Sequence, residues 1–183
     1  MRPLCSHCFR PVSACYCQVV NRIATRVEVV IWQHPSEQNH PKGTAQLLHM
    51  CLPNSRLVVG EQFSKSDLSL RDCALLYPHS EDCKLVTQPN RVNQLLVIDG
   101  TWRKSRKILH LNPWLLALPR LSIHAQQGNY TIRKAEAAHQ LSTFESTTSA
   151  LNLLEGGAQL AVLDAVFAQY IASIQKFRPT NNK

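Results

Sequence analysis

From residue 27 onward, short apolar runs alternate with amphipathic stretches, and the two periods predict different elements. Val27-Glu28-Val29-Val30-Ile31-Trp32 reads as a buried strand. Arg56-Leu57-Val58-Val59 and Ala74-Leu75-Leu76-Tyr77 read as two more, the second stopped by Pro78. Leu95-Leu96-Val97-Ile98, bounded by polar residues, is the clearest strand of the set. Between them, Thr44 to Leu52 predicts a helix ended by Pro53-Asn54. Ser142-Thr143-Phe144-Glu145 has the S-x-x-E pattern of a capping box, opening a helix to about Glu155 that Gly156-Gly157 closes. A last helix is expected over 158–176, with Leu163, Val166, Phe167, Tyr170 and Ile174 on one face. Continuous apolar strands alternating with helices predict an α/β fold with a mostly parallel sheet covered on both sides.

The first 26 residues do not follow this pattern. They carry Cys5-Ser6-His7-Cys8 and Cys15-Tyr16-Cys17, two close thiol pairs separated by a loop with Pro11. Four thiolates at about 2.3 Å close a tetrahedral zinc shell, which describes a structural site with no open position. His7 lies inside the first pair and is the less suited ligand. The remaining thiols, Cys51, Cys73 and Cys83, are expected in the core or on the surface. The chain therefore divides into a zinc-binding segment, 1–26, and one α/β domain, 27–183.

Composition narrows the function. With 183 residues and a net charge of +8, a polyanionic partner is expected. No apolar run approaches the roughly 18 residues of a membrane span, and the first residues show no secretory pattern, so a cytosolic protein is expected. The six glycines have neither dinucleotide-binding nor P-loop spacing.

Ligands of open α/β sheets bind beyond the carboxyl ends of the strands, and three polar clusters fall there. They are His34-Pro35-Ser36-Glu37, Pro78-His79-Ser80-Glu81, and Asp99-Gly100-Thr101-Trp102 followed by Arg103-Lys104-Ser105-Arg106-Lys107. In a helix starting near Thr101, Arg103, Arg106, Lys107 and His110 share one face, while Trp102, Ser105 and Leu109 turn toward the sheet. A cationic stripe beside a strand-end carboxylate suits a polyanion delivered to Asp99. A helix cap with a solvated basic face explains the same residues without function. Pro35 and Pro41 interrupt any helix through His34, Glu37 and His40, so loop structure or substrate contact is expected there rather than a metal. Tyr130-Thr131-Ile132-Arg133-Lys134 adds a second basic element after a Gly128-Asn129 turn.

These clusters together resemble the DTW-domain family, whose Asp-x-Thr-Trp motif stands at 99–102. The resemblance runs in order through Cys5, Cys8, Cys15 and Cys17, His34-Pro35-Ser36-Glu37, Leu76-Tyr77-Pro78, the motif, Leu118-Pro119-Arg120, Tyr130 and Arg133, and Leu141-Ser142-Thr143-Phe144-Glu145. Lys42-Gly43-Thr44 departs from it. The resemblance implies a SPOUT-like (α/β-knot) domain. It also implies transfer of the 3-amino-3-carboxypropyl group of S-adenosylmethionine to N3 of a tRNA uridine, releasing methylthioadenosine. Asp99 is then the candidate to accept the N3 proton or orient the uracil, with Thr101 bonding the cofactor or fixing Asp99 and Trp102 packing under the crevice. Leu76, Tyr77, Pro78, Ser142 and Thr143 would meet the adenosyl group. His34, Glu37, Arg103, Arg106, Lys107, Arg133 and Lys134 would meet tRNA. Monomer and homodimer both suit the resemblance. The residue chemistry alone equally admits an S-adenosylmethionine-dependent RNA methyltransferase or a non-catalytic zinc-ribbon RNA-binding module.

Overall fold

The apolar runs pair as five strands, all parallel, in a computed structural model that describes residues 3–123 and 141–175. In chain order they are β1 (Glu28–Gln33), β2 (Ser55–Val59), β3 (Cys73–Leu76), β4 (Gln94–Asp99) and β5 (Arg120–Leu121). The spatial order is β2-β1-β4-β3-β5. β4 is central and almost wholly buried, whereas β2 at an edge is half-buried from Ser55 to Val58 and exposed at Val59. Four strands fall within a residue or two of their sequence positions. The two-residue β5 has too little periodicity to announce itself and exists through pairing with Leu75 and Leu76.

Side-chain alternation divides the core in two. Val29 and Ile31 of β1 join Leu95 and Val97 of β4 under α1 (Ala45–Cys51), α3 (Thr143–Leu154) and α4 (Ala161–Gln175). Val30, Trp32, Leu75 and Leu96 face the opposite way, against Ile108 and Leu109 of α2 (Trp102–Leu111). Each fully buried aliphatic chain contributes roughly 1.5–3 kcal/mol of transfer free energy, so the strand centres anchor both layers. Trp32 also stacks on Trp114 and donates from Nε1 to the Gly60 carbonyl at 2.7 Å. A Cβ at Gly60 would stand 2.7 Å from the Phe63 ring, which explains glycine there.

The caps are those the sequence spells. Ser142 and Glu145 form both bonds of the capping box, and Gly156 and Gly157 end α3 at φ of 65° and 121°. A short 3-10 turn, Ala158–Leu160, stands where the last helix was expected to begin. The expected 130–134 element lies outside the described residues.

The cysteine loop docks on the helical layer that carries α4. Tyr16 packs edge-on against Tyr170 with ring centroids 5.2 Å apart. Ile23 N donates to the Cys51 carbonyl, and Glu155 accepts from the Arg26 and Val27 amides. Cys8 and Tyr16 thereby join the apolar cluster of the main sheet. No helix among the described residues is long and apolar enough to cross a membrane.

Candidate active site

Asp99 ends β4, and its side chain follows Val97 to the face that carries α3. The carboxylate is 4% exposed. Both oxygens are held: Gln33 Nε2 donates to Oδ2 at 2.9 Å and Thr143 Oγ1 donates to Oδ1 at 2.5 Å. Parallel register makes this possible, because Gln33 on β1 pairs with Asp99 across the sheet. The carboxylate is thus an oriented acceptor between the ends of β1 and α3. Gln33 was not singled out from the sequence. Its only signal is a polar residue closing an apolar strand, and the meaning of that signal depends on the neighbouring strand.

The fixing of Asp99 expected from Thr101 is done by Thr143 and Gln33. Thr101 caps α2 instead, its hydroxyl accepting from Lys104 N at 3.4 Å. The expected orientation of Trp102 is also corrected. It is 45% exposed rather than turned into the sheet, and meets the Tyr77 ring edge-on at 5.8 Å. As the first residue of α2 it lies at the helix end, beyond the rows that Ser105 and Leu109 bury.

The basic stripe forms and then splits. Arg103, Arg106, Lys107 and His110 are all exposed on α2. Lys104 Nζ pairs with Glu37 Oε1 at 2.7 Å, and Lys107 Nζ with Glu61 Oε2 at 2.7 Å. Lys107 beside Glu61 holds that carboxyl below the usual range. His34 Nε2 lies 2.8 Å from the same carboxylate, while its Nδ1 accepts from Ser36 N at 3.2 Å; the accepting Nδ1 leaves the proton on Nε2. His34 and Glu37, expected to meet substrate, are therefore buried and bonded inward: Glu37 ties the loop after β1 to α2, and His34 ties it to Glu61 in the loop after β2. Arg103 and Arg106 have no ion pair among the described residues. Arg133 and Lys134 lie outside those residues.

The expected cofactor residues sit at the ends of β3 and α3. Leu76 is buried, Tyr77 half-buried and Pro78 exposed. Tyr77 N donates to the Leu121 carbonyl, so that main-chain donor is spent. Ser142 is engaged in the capping box and Thr143 with Asp99. What this corner offers a ligand is main chain near Pro78 and the Tyr77 ring. Arg120 supports it from behind: it is 7% exposed, donates from Nη1 to the Pro78 carbonyl and Ser80 Oγ at 3.0 Å each, and lies 5.4 Å from the Tyr77 ring centroid. No carboxylate pairs with it among the described residues, and its Nε lacks a partner.

The four cysteines of the first segment converge, their Sγ atoms all within 4.8 Å of one another. Cys5 and Cys17 are 3.6 Å apart and Cys8 and Cys15 3.7 Å. Thiolates at about 2.3 Å from one tetrahedral ion would be about 3.8 Å apart. A disulfide would need about 2.05 Å. The geometry thus fits a metal and not a bridge. The turn between the pairs is held by Cys5 N donating to Arg10 O and by Phe9 at φ 56°. Main-chain N–H groups of Cys8 and His7 lower the Cys5 thiol to about 6, whereas burial and the neighbouring sulfurs push Cys17 up. Four touching thiols resist joint ionisation until a cation neutralises them.

Two cavities lie at opposite ends of the sheet. The larger, about 390 Å³, opens at the amino ends of β3 and β5 near Asp72, Arg91 and Leu118, at the opposite end of the sheet from Asp99. The smaller, about 170 Å³, lies between the cysteine loop and the carboxyl ends of β1 and β2. Asp99 lines neither of these two. The second is reached from Asp99 through Gln33, which lines it.

A family model described as DTW domain matches residues 2–175. The chain is 33% identical over 174 residues to tRNA-uridine aminocarboxypropyltransferase 2 of Mus musculus, covering 84% of this chain and 57% of that protein. It is 30% identical over 172 residues to the Macaca fascicularis protein of the same name, with the same coverage of each chain. The Drosophila melanogaster protein of that name is 30% identical over 174 residues, covering 87% of this chain and 69% of its own. This chain thus spans little more than half the length of the mouse and macaque relatives. No solved structure matches it.

Proposed function

This chain belongs to the DTW domain family, and from that premise we propose that it transfers the 3-amino-3-carboxypropyl group of S-adenosylmethionine to N3 of a tRNA uridine. The observation that carries the reading is Asp99 of the family motif, buried at a strand end with both oxygens oriented by Gln33 and Thr143. The N3 proton of uridine must leave before the ring nitrogen can attack the carbon next to the sulfonium. An oriented carboxylate can hold or accept that proton. The new bond is N3 to carbon, the broken one is carbon to sulfur, and methylthioadenosine leaves with the electron pair. Because the sulfonium offers three carbons, transfer of the larger arm depends on which carbon is held in line with N3.

In this reading Leu76, Tyr77, Pro78, Ser142 and Thr143 frame the cofactor, with Arg120 bracing Pro78 and Tyr77 behind it. Thr101 and Trp102 set the start of α2, and Trp102 closes the corner against Tyr77. Arg103 and Arg106 hold tRNA phosphates, joined by Arg133 and Lys134, while Lys107, His34 and Glu37 maintain the brace beneath them. Residues 1–26 form a zinc-binding appendage through Cys5, Cys8, Cys15 and Cys17, where the ion supplies cross-linking. The domain over 27–183 takes a SPOUT-like knotted path, and the enzyme works in the cytoplasm. Wild-type protein incubated with bulk tRNA and S-adenosylmethionine should release methylthioadenosine and leave aminocarboxypropyluridine in the nucleoside digest. Release of S-adenosylhomocysteine with a methylated nucleoside would identify a methyltransferase instead, and no product would leave a binding module.

A further inference from the structure

The 170 Å³ cavity is polar and stands on the same side of the sheet as the Asp99 side chain. Its walls include Gln33 from β1, Leu57 and Val59 from β2, and Phe9, Arg10 and Tyr16 from the cysteine loop. That volume is the share of about six waters at roughly 30 Å³ each, room for a single-ring base. Two polar features remain unsatisfied there. The Tyr16 hydroxyl is buried without a partner. Gln33, 5% exposed, gives its amide nitrogen to Asp99, and no group among the described residues donates to its side-chain carbonyl.

The orientation of that amide follows from chemistry. A carboxylate only accepts, so the nitrogen must face Asp99 and the carbonyl must face away from it. Where Gln33 lines the cavity its carbonyl has no protein donor among the described residues, which makes it a recognition element when a ligand brings one. Arg10 stands over the Tyr16 ring at 6.0 Å and is tethered through Nη2 to the His40 carbonyl at 2.9 Å. It places a cation at the wall formed by the cysteine loop, where a nucleotide phosphate can be held.

We propose that this cavity receives an extruded uracil base and that the Gln33 carbonyl reads its N3–H. The inference rests on the transferase reading above and adds where the base sits and what selects it. Uracil carries one ring N–H donor, at N3, whereas cytosine presents a lone pair at that position and would face the carbonyl with like polarity. Phe9, an exposed ring on the cavity wall, supplies aromatic surface for an unstacked base. Recognition precedes proton loss: N3–H must leave the Gln33 carbonyl before Asp99 can accept its proton. Asp99, on the other side of the same amide, keeps Gln33 in the reading orientation, so one carboxylate links the base pocket to the α3 corner.

The test is equilibrium binding of single-stranded oligouridylate, oligocytidylate and oligo(3-methyluridylate) to the full chain, with no turnover required. The wild type should bind oligouridylate roughly ten-fold more tightly than either other oligomer, the scale of one hydrogen bond made or lost. Gln33→Met should bind all three alike. Gln46→Trp, which fills the cavity from α1, should weaken oligouridylate binding without changing S-adenosylmethionine binding. Equal binding of the three oligomers by the wild type, a preference retained in Gln33→Met, or unchanged affinity in Gln46→Trp would each overturn the assignment. The transferase reading fails separately, by absence of methylthioadenosine release from bulk tRNA.

Discussion

The cysteine loop and the carboxyl end of the sheet lie side by side, yet they are organised by different forces. Among the described residues of the loop only Cys8 and Tyr16 are buried before Ile23, and its hairpin-like turn closes on four sulfurs within 4.8 Å. At the sheet end, buried strands set the register, and polar side chains then meet in fixed pairs: Gln33 with Asp99, Glu37 with Lys104, His34 with Glu61. A segment with so little apolar burial needs a cross-link to stay ordered. A strand end needs no cross-link but must satisfy every polar group it buries. The lesson is that metal loss should damage one region and leave the other standing, while loss of a single buried partner should do the reverse.

The strongest separation is catalytic. Asp99→Asn keeps the shape but replaces the basic carboxylate by an amide, and should lower methylthioadenosine release by about 10²–10⁴-fold. An unaltered rate would detach the motif carboxylate from the chemistry. Cys5→Ser or Cys15→Ser should abolish stoichiometric metal binding and lower Tm on the order of 5 °C, with the far-ultraviolet spectrum of the sheet and helices retained. Unchanged metal content in both variants would remove those thiols from the site.

Glu37→Gln tests the strand end directly. Glu37 is 4% exposed and pairs with Lys104, so the variant leaves an ammonium partly buried without its partner and should cost roughly 3 kcal/mol in urea unfolding. Metal content should not move. Arg103→Ala and Arg106→Ala act on neither region's stability, because both side chains are exposed and lack ion pairs among the described residues. Each should flatten the salt dependence of tRNA binding by about one unit of log–log slope. A slope identical to wild type would show that phosphates bind elsewhere.

The smallest effect concerns acid. Burial of His49 on α1 lowers its pKa from the ordinary 6.5. Above that value the ring is neutral in both folded and unfolded chains, and stability does not depend on it. As pH falls through 6.5 the unfolded chain takes the proton first, so stability is lost until the folded pKa is passed. His49→Asn should remove that share of the acid sensitivity while leaving pH-dependent metal release by the cysteine loop unchanged, as compared by unfolding curves and metal titration between pH 7 and pH 5.

Much of this architecture was legible along the chain because its signals are local. Alternation and apolar runs located β1 to β4, the S-x-x-E sequence announced the α3 cap, and paired thiol spacing announced the metal geometry. The α2 stripe was equally visible as a face. What it could not reveal was that Lys104 and Lys107 turn to Glu37 and Glu61, because those acids come from loops far away in sequence. Thr143 looked like a cofactor contact for the same reason, since its bond to Asp99 spans 44 residues.

The amino-acid order by itself determined the alternation of strands and helices, the helix ends and the grouping of four sulfurs, since each depends on residues within a few positions of one another. Only the tertiary structure decided that Gln33 stands beside Asp99, that Lys107 of the basic stripe and the neighbouring Lys104 are spent internally, and that the cavity lies toward the cysteine loop. Those outcomes follow from strand order and register, which couple positions more than sixty residues apart and are selected by the packing of both faces at once.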